Sequence, residues 1–389
     1  MFQGGAKPNP QLTDVPLISE LAHNEIDKQA IEFLNAGQGM GRPFVAPPNL
    51  PADRLKMLRV AFMETAGGRM IDRSLEKAAL QKEINRGHCH AALVINTRSR
   101  RGAACYLEVK SQLAKSEIKV DAAFPIDNPA TLIDTVGKLV ARGQTFIIVG
   151  GGDGTISSVV DHFAYARVLF GVLPLATANS FARTLGIPLN LGDAIDVLVN
   201  GKVADVDLGK INEDYFANGS SMGLPAAVGR ATPHKLKRWL GRSAYALVGV
   251  KEFIRYRSFR CIVTIDDRET SFETLDVRIA SGSYQGGILV APEAKPDDGE
   301  IVVYIMKGHS RWVIAREWAR LALGVPFRPA DAEVLRASTL LIDAAPKQDV
   351  VIDGEVIAQT PVRVSVARNA LLLMVPVTYE TFEPHSRCL

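Results

Sequence analysis

Short apolar runs alternate with amphipathic stretches over the first half of the organised chain, which begins near His88. Ala91 to Ile95 (AALVI) is a run of five apolar residues and reads as a buried strand. Asn128 is a candidate cap with Pro129 at the first turn, and Leu132, Ile133, Val136, Leu139 and Val140 then share one helical face until Gly143. Thr145 to Val149 (TFIIV) is a β-branched strand, followed by a glycine-rich join and a helix with Ile156, Val159, Val160 and Phe163 on one side. Val168 to Leu173 is the next strand. Strands alternating with helices predict an α/β domain with a largely parallel sheet.

After about residue 204 short strands dominate: Cys261 to Ile265, Leu275 to Ala280, Ile301 to Ile305, Val350 to Ile352, Val362 to Val366 and Leu371 to Val375. Turn signals such as Asp266-Asp267, Asp297-Asp298-Gly299 and Asp353-Gly354 separate them, so this half is expected to be mostly antiparallel β. Two helical inserts fall around 234–257 and 310–323. Residues 1–87 read as an extension with helices near Pro16 to Leu34 and from Asp53 onward, and without a chemical constellation. The expected organisation is this extension, an α/β nucleotide-binding domain over 88–204, and a β-rich substrate domain over 205–375. Residues 376–389 are a candidate return to the first domain.

Composition narrows the partners. A net charge of +3 over 389 residues is too mild for a nucleic-acid binder. No basic n-region precedes an apolar stretch at the N-terminus, and no run reaches about 18 apolar residues, so a cytoplasmic protein is expected, with membrane contact only peripheral. The four cysteines, Cys89, Cys105, Cys261 and Cys388, form no CxxC pair and fit packing roles in a reducing compartment. From Arg230 to Arg260 nine basic residues face a single acid, Glu252, with Trp239 and other apolar residues interleaved. Such a segment suits an anionic leaflet at the inner membrane face, and equally a helix with one core face and one solvated basic face. Trp312 and Trp318 are expected to pack.

The sharpest chemical feature is Gly151-Gly152-Asp153-Gly154-Thr155 between a strand and a helix. Glycines let the backbone turn tightly and approach a ligand, and a helix start offers free N–H groups to a phosphate. A helix capped by Asp153 with packing glycines is the plainer reading. An acid inside such a loop repels phosphate unless a cation lies between, so Mg²⁺ is expected nearby. The loop is not of the GxxxxGK[ST] type. Arg183 is the obvious cation near the phosphates, or else a residue of a solvated helix face.

GGDGT at 151–155 with LPLATANSFARTLGIP at 173–188 resembles the diacylglycerol kinase catalytic family, the bacterial-type lipid kinases. VDLG at 206–209, FANGSSMGLPA at 216–226, GGILVAPEAKPDDGEIVV at 286–303 and VIDGE at 351–355 continue the resemblance in order, over about 88 to 389. It implies a first domain like that of NAD kinases and phosphofructokinases, and ATP- and Mg²⁺-dependent transfer of the γ-phosphate to a lipid hydroxyl. The family's roles fall on Asn96 and Thr97, on Gly151, Gly152, Asp153, Gly154 and Thr155, and on Thr177 and Asn179 for the nucleotide. Asp153 is implied to serve the catalytic metal, and Glu355 to be the general base. The Asp298 side chain with the Lys295 and Glu300 carbonyls matches a structural Mg²⁺ site. Bland readings stand beside these: Glu355 as a turn acid, and Asp297-Asp298-Gly299 as a type I′ hairpin turn.

The chain departs from the family at Ser157-Ser158, at Ser180 where the family often has Asp, and in NTRSR at 96–100. Arg98, Arg100 and Arg101 are there expected to bring side-chain charge to the phosphates. A soluble-substrate kinase of the NAD-kinase kind and a non-catalytic nucleotide- or lipid-binding regulator remain the alternatives. The acceptor lipid and the oligomeric state, a homodimer included, stay open. The stretch GRPFVAPPNLPADRLKMLRVAF at 41–62 resembles a fragment of periplasmic tricarboxylate-binding proteins, too short to carry function, and a fusion remnant or an early start are the readings it suggests.

Overall fold

The computed structural model describes residues 77–84, 86, 89–98, 100–224, 226–227, 256–308, 312, 316, 320, 332–352 and 355–381. The helices expected near Pro16 and Asp53, and nearly all of the basic segment 230–260, lie outside them.

The chain opens with helix α1 (77–84), followed by β1 (Cys89–Asn96), α2 (Arg100–Leu113), β2 (Ile118–Ile126), α3 (Pro129–Ala141) and β3 (Phe146–Gly151). Then come α4 (Asp153–Ser157), α5 (Val160–Phe163), β4 (Leu169–Pro174), α6 (Ser180–Thr184) and α7 (Leu191–Asn200). Strands β1 to β4 pair in parallel in the order β2-β1-β3-β4. The strand cores are apolar along their whole length: every residue of β3 and β4 is buried. That is the expected pattern for strands with both faces covered by helices. At α3 the Asn128 side chain accepts from the Ala130 N–H at 3.0 Å, and Leu132, Val136 and Leu139 are buried. Gly143 ends the turn at φ +79°, a conformation that favours glycine.

The second half is antiparallel. It comprises β5 (Lys202–Ile211), β6 (Asp214–Phe216), β7 (Gly219–Gly223), β8 (Phe259–Ile265), β9 (Arg268–Ala280), and the small hairpin β10 (Tyr284–Gln285) with β11 (Ile288–Leu289). It continues with β12 (Ile301–Lys307), β13 (Ala332–Ala337), β14 (Thr339–Ala345), β15 (Asp349–Ile352), β16 (Glu355–Gln359) and β17 (Val362–Val375). Alternate residues such as Val277, Ile279, Val303, Ile305, Met222 and Ile352 point into one core of this half. The expected fold class, a parallel α/β half joined to an antiparallel β-rich half, is the one observed.

Three features differ from the pattern reading. The two strands expected at Val362–Val366 and Leu371–Val375 are one strand, β17, with an irregularity between Ala367 and Leu371 and Asn369 at φ +52°. Its first part pairs with β14 and its last part runs parallel to β4, so β17 joins the two halves into one 15-stranded sheet. The single helix expected after the glycine loop is two short ones, α4 and α5. Helix α1, at the end of the stretch read as an extension, lies on β5: Lys77 Nζ pairs with Asp205 at 2.9 Å and Val203 N–H donates to Gln81 at 2.7 Å.

Trp312 is helical, as expected for the second insert, but 81% exposed, against the packing role read for it. Cys89, Cys105 and Cys261 are free thiols, and burial pushes Cys89 up to about 11 and Cys261 up to about 12. Both are therefore inert packing groups. Among the described residues no helix is long and apolar enough to cross a membrane.

Candidate functional site

The C-terminal ends of β1, β3 and β4 stand side by side, with Ile95 opposite Gly150 and Gly151 opposite Pro174. In open α/β sheets ligands bind at this edge. The join Gly150 to Thr155 crosses it. A Cβ on Gly150 would lie 2.4 Å from Ile95 Cδ1, on Gly151 2.5 Å from Thr155 Oγ1, and on Gly152 2.5 Å from Ala176 Cβ. These glycines are required by close packing of the loop on its own neighbours. Gly154 differs: it is exposed, and a Cβ there would meet nothing within 4 Å. Open space therefore begins at Gly154, flanked by Asp153 and Thr155.

Asn96 ends β1 and joins this loop, its Nδ2 donating to Thr155 Oγ1 at 2.8 Å and its Oδ1 accepting from Arg98 N–H at 3.0 Å. Thr97 follows at half-buried depth, its N–H donating to Ile126 O at 2.8 Å. The second wall is residues 175–184. Leu175 N–H donates to Gly151 O at 2.9 Å, and Thr177 is exposed on the crest. Asn179, 3% exposed and left-handed at φ +47°, turns its amide back on Ala176: Oδ1 accepts from Ala176 N–H at 3.1 Å and Nδ2 donates to Ala176 O at 2.7 Å. These two bonds close the loop at Ala176.

The carboxylate of Asp153 faces the start of α6, accepting from Phe181 N–H at 3.1 Å. Burial pushes Asp153 up from the usual carboxylate range, opposed by hydrogen bonds from Phe181 N–H and from Ser180, and by the charge of Arg183. Arg183 itself is tied down, its Nε donating to Ala178 O at 2.8 Å. Arg101, an exposed side chain, rests on the second wall: NH1 donates to Ala176 O at 3.4 Å and NH2 to Leu189 O at 3.1 Å.

Glu355 opens β16 at the sheet edge and is exposed, paired with Ile352 of β15, which in turn lies beside Ser220 of β7. Asp353 and Gly354 lie outside the described residues. At the other predicted site, Asp298 Oδ1 accepts from Glu300 N–H at 3.0 Å, and Glu300 stands 3.8 Å from Arg336 NH1. Burial, with the charges of Glu300 and Asp207, pushes Asp298 up to about 6. Lys295 is exposed. Among the described residues no three acid, histidine or cysteine side chains are grouped to cage a metal ion.

Two residues were not singled out from the sequence. Asp207, 3% exposed, accepts from Gly299 N–H at 2.8 Å and from Asn369 N–H at 2.7 Å, pinning the DDG loop to β5 and β17. Asp207→Ala leaves two donors unpaired, so stability should fall by about 2–4 kcal/mol in urea unfolding. A loss under about 0.5 kcal/mol sinks this assignment. Asn218 accepts from Thr184 Oγ1 at 2.9 Å and donates from Nδ2 to Tyr284 O, joining α6 to the β10–β11 hairpin.

Comparison with known proteins gives the family. Residues 90–211 match the model of the diacylglycerol kinase catalytic domain, and residues 219–375 that of the YegS C-terminal NAD kinase beta sandwich-like domain. A probable lipid kinase YegS-like of Pseudomonas aeruginosa is 31% identical over 246 residues, covering 62% of this chain and 80% of that one. A diacylglycerol kinase of Staphylococcus saprophyticus is 28% identical over 237 residues, covering 60% and 78%. The crystal structure of a putative diacylglycerol kinase from Bacillus anthracis superposes with a TM-score of 0.63 at 22% identity, over 74% of this chain and 97% of that one, a likeness of fold. Two domain models in sequence, and a relative matched over four-fifths of its length, settle the membership: the chain belongs to the diacylglycerol kinase catalytic-domain family of lipid kinases.

Proposed function

We propose that this lipid kinase uses ATP and Mg²⁺ to phosphorylate a lipid hydroxyl, that of diacylglycerol or a related amphiphile. The observation that carries the reading is the loop. Its packed glycines leave an open edge at Gly154, between Asp153 and Thr155 in the chain, at the start of α4. In this reading Gly151 to Thr155, Asn96, Thr97 and Thr177 hold the nucleotide. Asn179 and Arg183 act one step back, by shaping the wall. Glu355 accepts the hydroxyl proton while the lipid oxygen bonds to the γ-phosphorus and the bond to the β-phosphate oxygen breaks, releasing ADP. The domain roles follow: 88–204 for nucleotide, 205–375 for lipid. Peripheral contact with an anionic leaflet belongs to the same proposal, and among the described residues exposed Trp312 suits it.

The donor chemistry fits a hard cation. Asp153 is half-buried, and burial disfavours its charge, which a nearby cation restores. Bound there, Mg²⁺ neutralises phosphate charge. The Asp298 carboxyl with the Lys295 and Glu300 carbonyls is an all-oxygen set of the same kind.

Because Asp298 is raised to about 6 from 3.8, the folded state holds its proton more tightly than the unfolded state. Stability present at low pH is therefore lost as pH rises from about 4 through about 6, unless a cation offsets the charge. Added Mg²⁺ should raise Tm more at pH 7.5 than at pH 5. Asp298→Asn should stabilise the metal-free protein at pH 7.5 by about 1 kcal/mol, discounted for partial exposure, and shrink the Mg²⁺ effect. An equal Mg²⁺ effect at both pH values counts against the site.

The test of function is transfer of labelled γ-phosphate from ATP to a panel of diacylglycerol, sphingoid and related lipids in mixed micelles, with NAD⁺ as a parallel acceptor. A labelled lipid establishes the reading. Turnover of NAD⁺ alone, or ATP binding without any transfer, overturns it.

A further inference from the structure

Thr184, the last residue of α6, meets two elements of the antiparallel half. Its Oγ1 donates to Asn218 Oδ1 at 2.9 Å and accepts from Tyr284 N–H at 3.3 Å. Asn218, in the turn between β6 and β7, closes a ring by donating from Nδ2 to Tyr284 O. A carbonyl oxygen can only accept, so Tyr284 O turns the amide nitrogen toward itself and leaves Oδ1 for the hydroxyl. The fit is close: a Cβ on Gly282 would lie 2.1 Å from Asn218 Oδ1 and 2.9 Å from Thr184 Cγ2. The Asn218 carbonyl accepts from Ser281 N–H and Gly282 N–H, both at 3.0 Å.

Each member of the ring is anchored in a different part of the molecule. Helix α6 is seated in the core of the α/β half, with Phe181 and Ala182 buried, and its Phe181 N–H donates to Asp153 at 3.1 Å. Asn218 leads into β7, where Ser220 pairs with Ile352 and donates from Oγ to Val351 O at 3.0 Å. Ile352 is the partner of Glu355. Tyr284 opens the β10–β11 hairpin, which rests on both neighbours. Gly287 N–H donates to Ser180 Oγ at 2.9 Å, and a Cβ on Gly219 would lie 2.1 Å from Gln285 Nε2. The strand shared by the two halves, β17, is irregular between Ala367 and Leu371, so their angle depends on ties beside it. Asp207 supplies one tie at the DDG loop, and the ring supplies another beside the phosphate loop. Hydrogen bonds are directional, so a ring of them admits one arrangement where apolar contact would let the elements slide.

We infer that Thr184 and Asn218 are positioning residues whose ring with Tyr284 holds the antiparallel half in register with the phosphate loop, so that nucleotide bound at the loop is felt in the hairpin. Neither residue touches nucleotide or lipid in this assignment. They set where the strands bearing Glu355 stand relative to α6, and a displacement of about 1 Å between reacting groups costs on the order of a hundredfold in rate. The inference rests on the proposed roles of Asp153 and Glu355, so its test reads transmission between the halves apart from lipid transfer.

Thr184→Val keeps the side-chain shape and removes the hydroxyl, Thr184→Ser keeps the hydroxyl, and Asn218→Asp keeps Oδ1 and removes the donor to Tyr284 O. For each full-length variant and for Thr184→Val/Asn218→Asp, four quantities are measured. They are a melting curve, Mg·ATP affinity and stoichiometry by calorimetry, kcat on diacylglycerol in mixed micelles per nucleotide-binding chain, and amide exchange over 281–290 with and without Mg·ATP. Thr184→Val and Asn218→Asp should each lose about ten- to a hundredfold in kcat, with Mg·ATP affinity within about twofold of wild type. The double variant should be no worse than the poorer single one, because either change already opens the ring. Thr184→Ser should recover kcat to within about threefold of wild type. Mg·ATP should slow exchange at Tyr284 and Gly287 by about tenfold in wild type and leave it unchanged in Thr184→Val. A valine variant with kcat within about threefold of wild type overturns the inference, as do losses that multiply in the double variant or a serine variant that behaves as valine. So does wild-type exchange over 281–290 that ignores bound Mg·ATP. A wild-type chain that binds Mg·ATP but phosphorylates no lipid sinks the proposed function, and the exchange measurement then decides the ring by itself. One that binds no Mg·ATP overturns both.

Discussion

Replacing Asp153 with asparagine should lower kcat by about a thousandfold or more while leaving the fold intact. The replacement removes charge and little else. Asn Oδ1 can still accept the Phe181 N–H that Asp153 accepts at 3.1 Å. Burial already disfavours the ionised carboxyl, so the neutral amide relieves a cost, and Tm should hold or rise slightly at pH 8. The sign is set by the raised pKa: an acid with a higher folded than unfolded pKa weakens the fold as pH rises through that range, and asparagine removes the dependence. In the proposed reading what is lost is the charge that would hold a cation against the phosphates, in a reaction that depends on neutralising them. Asp153→Ala should be as inactive but less stable by about 1–2 kcal/mol, because Phe181 N–H loses its acceptor. Transfer of labelled phosphate, with urea unfolding of both variants, checks the pair. Activity of the asparagine variant within tenfold of wild type sinks the role given to Asp153.

Both halves of the fold were legible because their patterns differ in period. Fully apolar runs such as Ile147, Ile148 and Val149 mark strands buried on both faces, and their alternation with helical stretches specifies a parallel sheet. The later strands alternate, and turn residues separate them. Strand β2 was missed because it lies at the edge: in IKVDAAFPI only Ile118 and Ile126 are buried, so no apolar run announces it. Helix α2 was hidden behind its own basic start, Arg100-Arg101, which reads as a polar turn. Of its core contacts only Val109 and Leu113 are fully buried, and Leu107 is 73% exposed. Merging two expected strands into β17 depended on Asn369 taking a left-handed conformation, which reads in sequence as a turn.

The site was legible where chemistry is local and obscure where it depends on the fold. The glycine loop declares itself because glycine, acid and hydroxyl stand together in the chain. The partners of that loop do not. Arg101 reads as a phosphate-facing charge, and only the fold places Ala176 O and Leu189 O within its reach. Asn179 reads as a ligand contact, and no local pattern announces its positive φ or the paired bonds to Ala176 that close the wall. Asp207 had one available signal: an acid set directly between two apolar residues, Val206 and Leu208, in the strand VADVDLG calls for buried donors. Those donors come from residues 92 and 162 positions later, a separation no local pattern spans.

Glu355→Gln should lower kcat by about a hundred- to ten-thousandfold with the affinity for Mg·ATP changed by less than about threefold, the range for removing a general base. The substitution is nearly isosteric and the side chain is exposed, so folding should not move. The separation of effects follows from position. Asp153 follows β3 at the start of α4, in the loop read as the nucleotide site, whereas Glu355 lies on β16, at the far edge of the antiparallel sheet. A base that acts on the acceptor hydroxyl contributes to transfer and little to holding ATP. A turn acid contributes to neither. The plain reading of Glu355 as the close of a hairpin therefore predicts full activity in the glutamine variant, and the catalytic reading predicts loss at constant nucleotide affinity. Slow hydrolysis of ATP to water in the absence of lipid separates them further. It should persist in Glu355→Gln if the residue serves the lipid oxygen, and disappear in Asp153→Asn. A glutamine variant that keeps its phosphate transfer to lipid places the base on another residue.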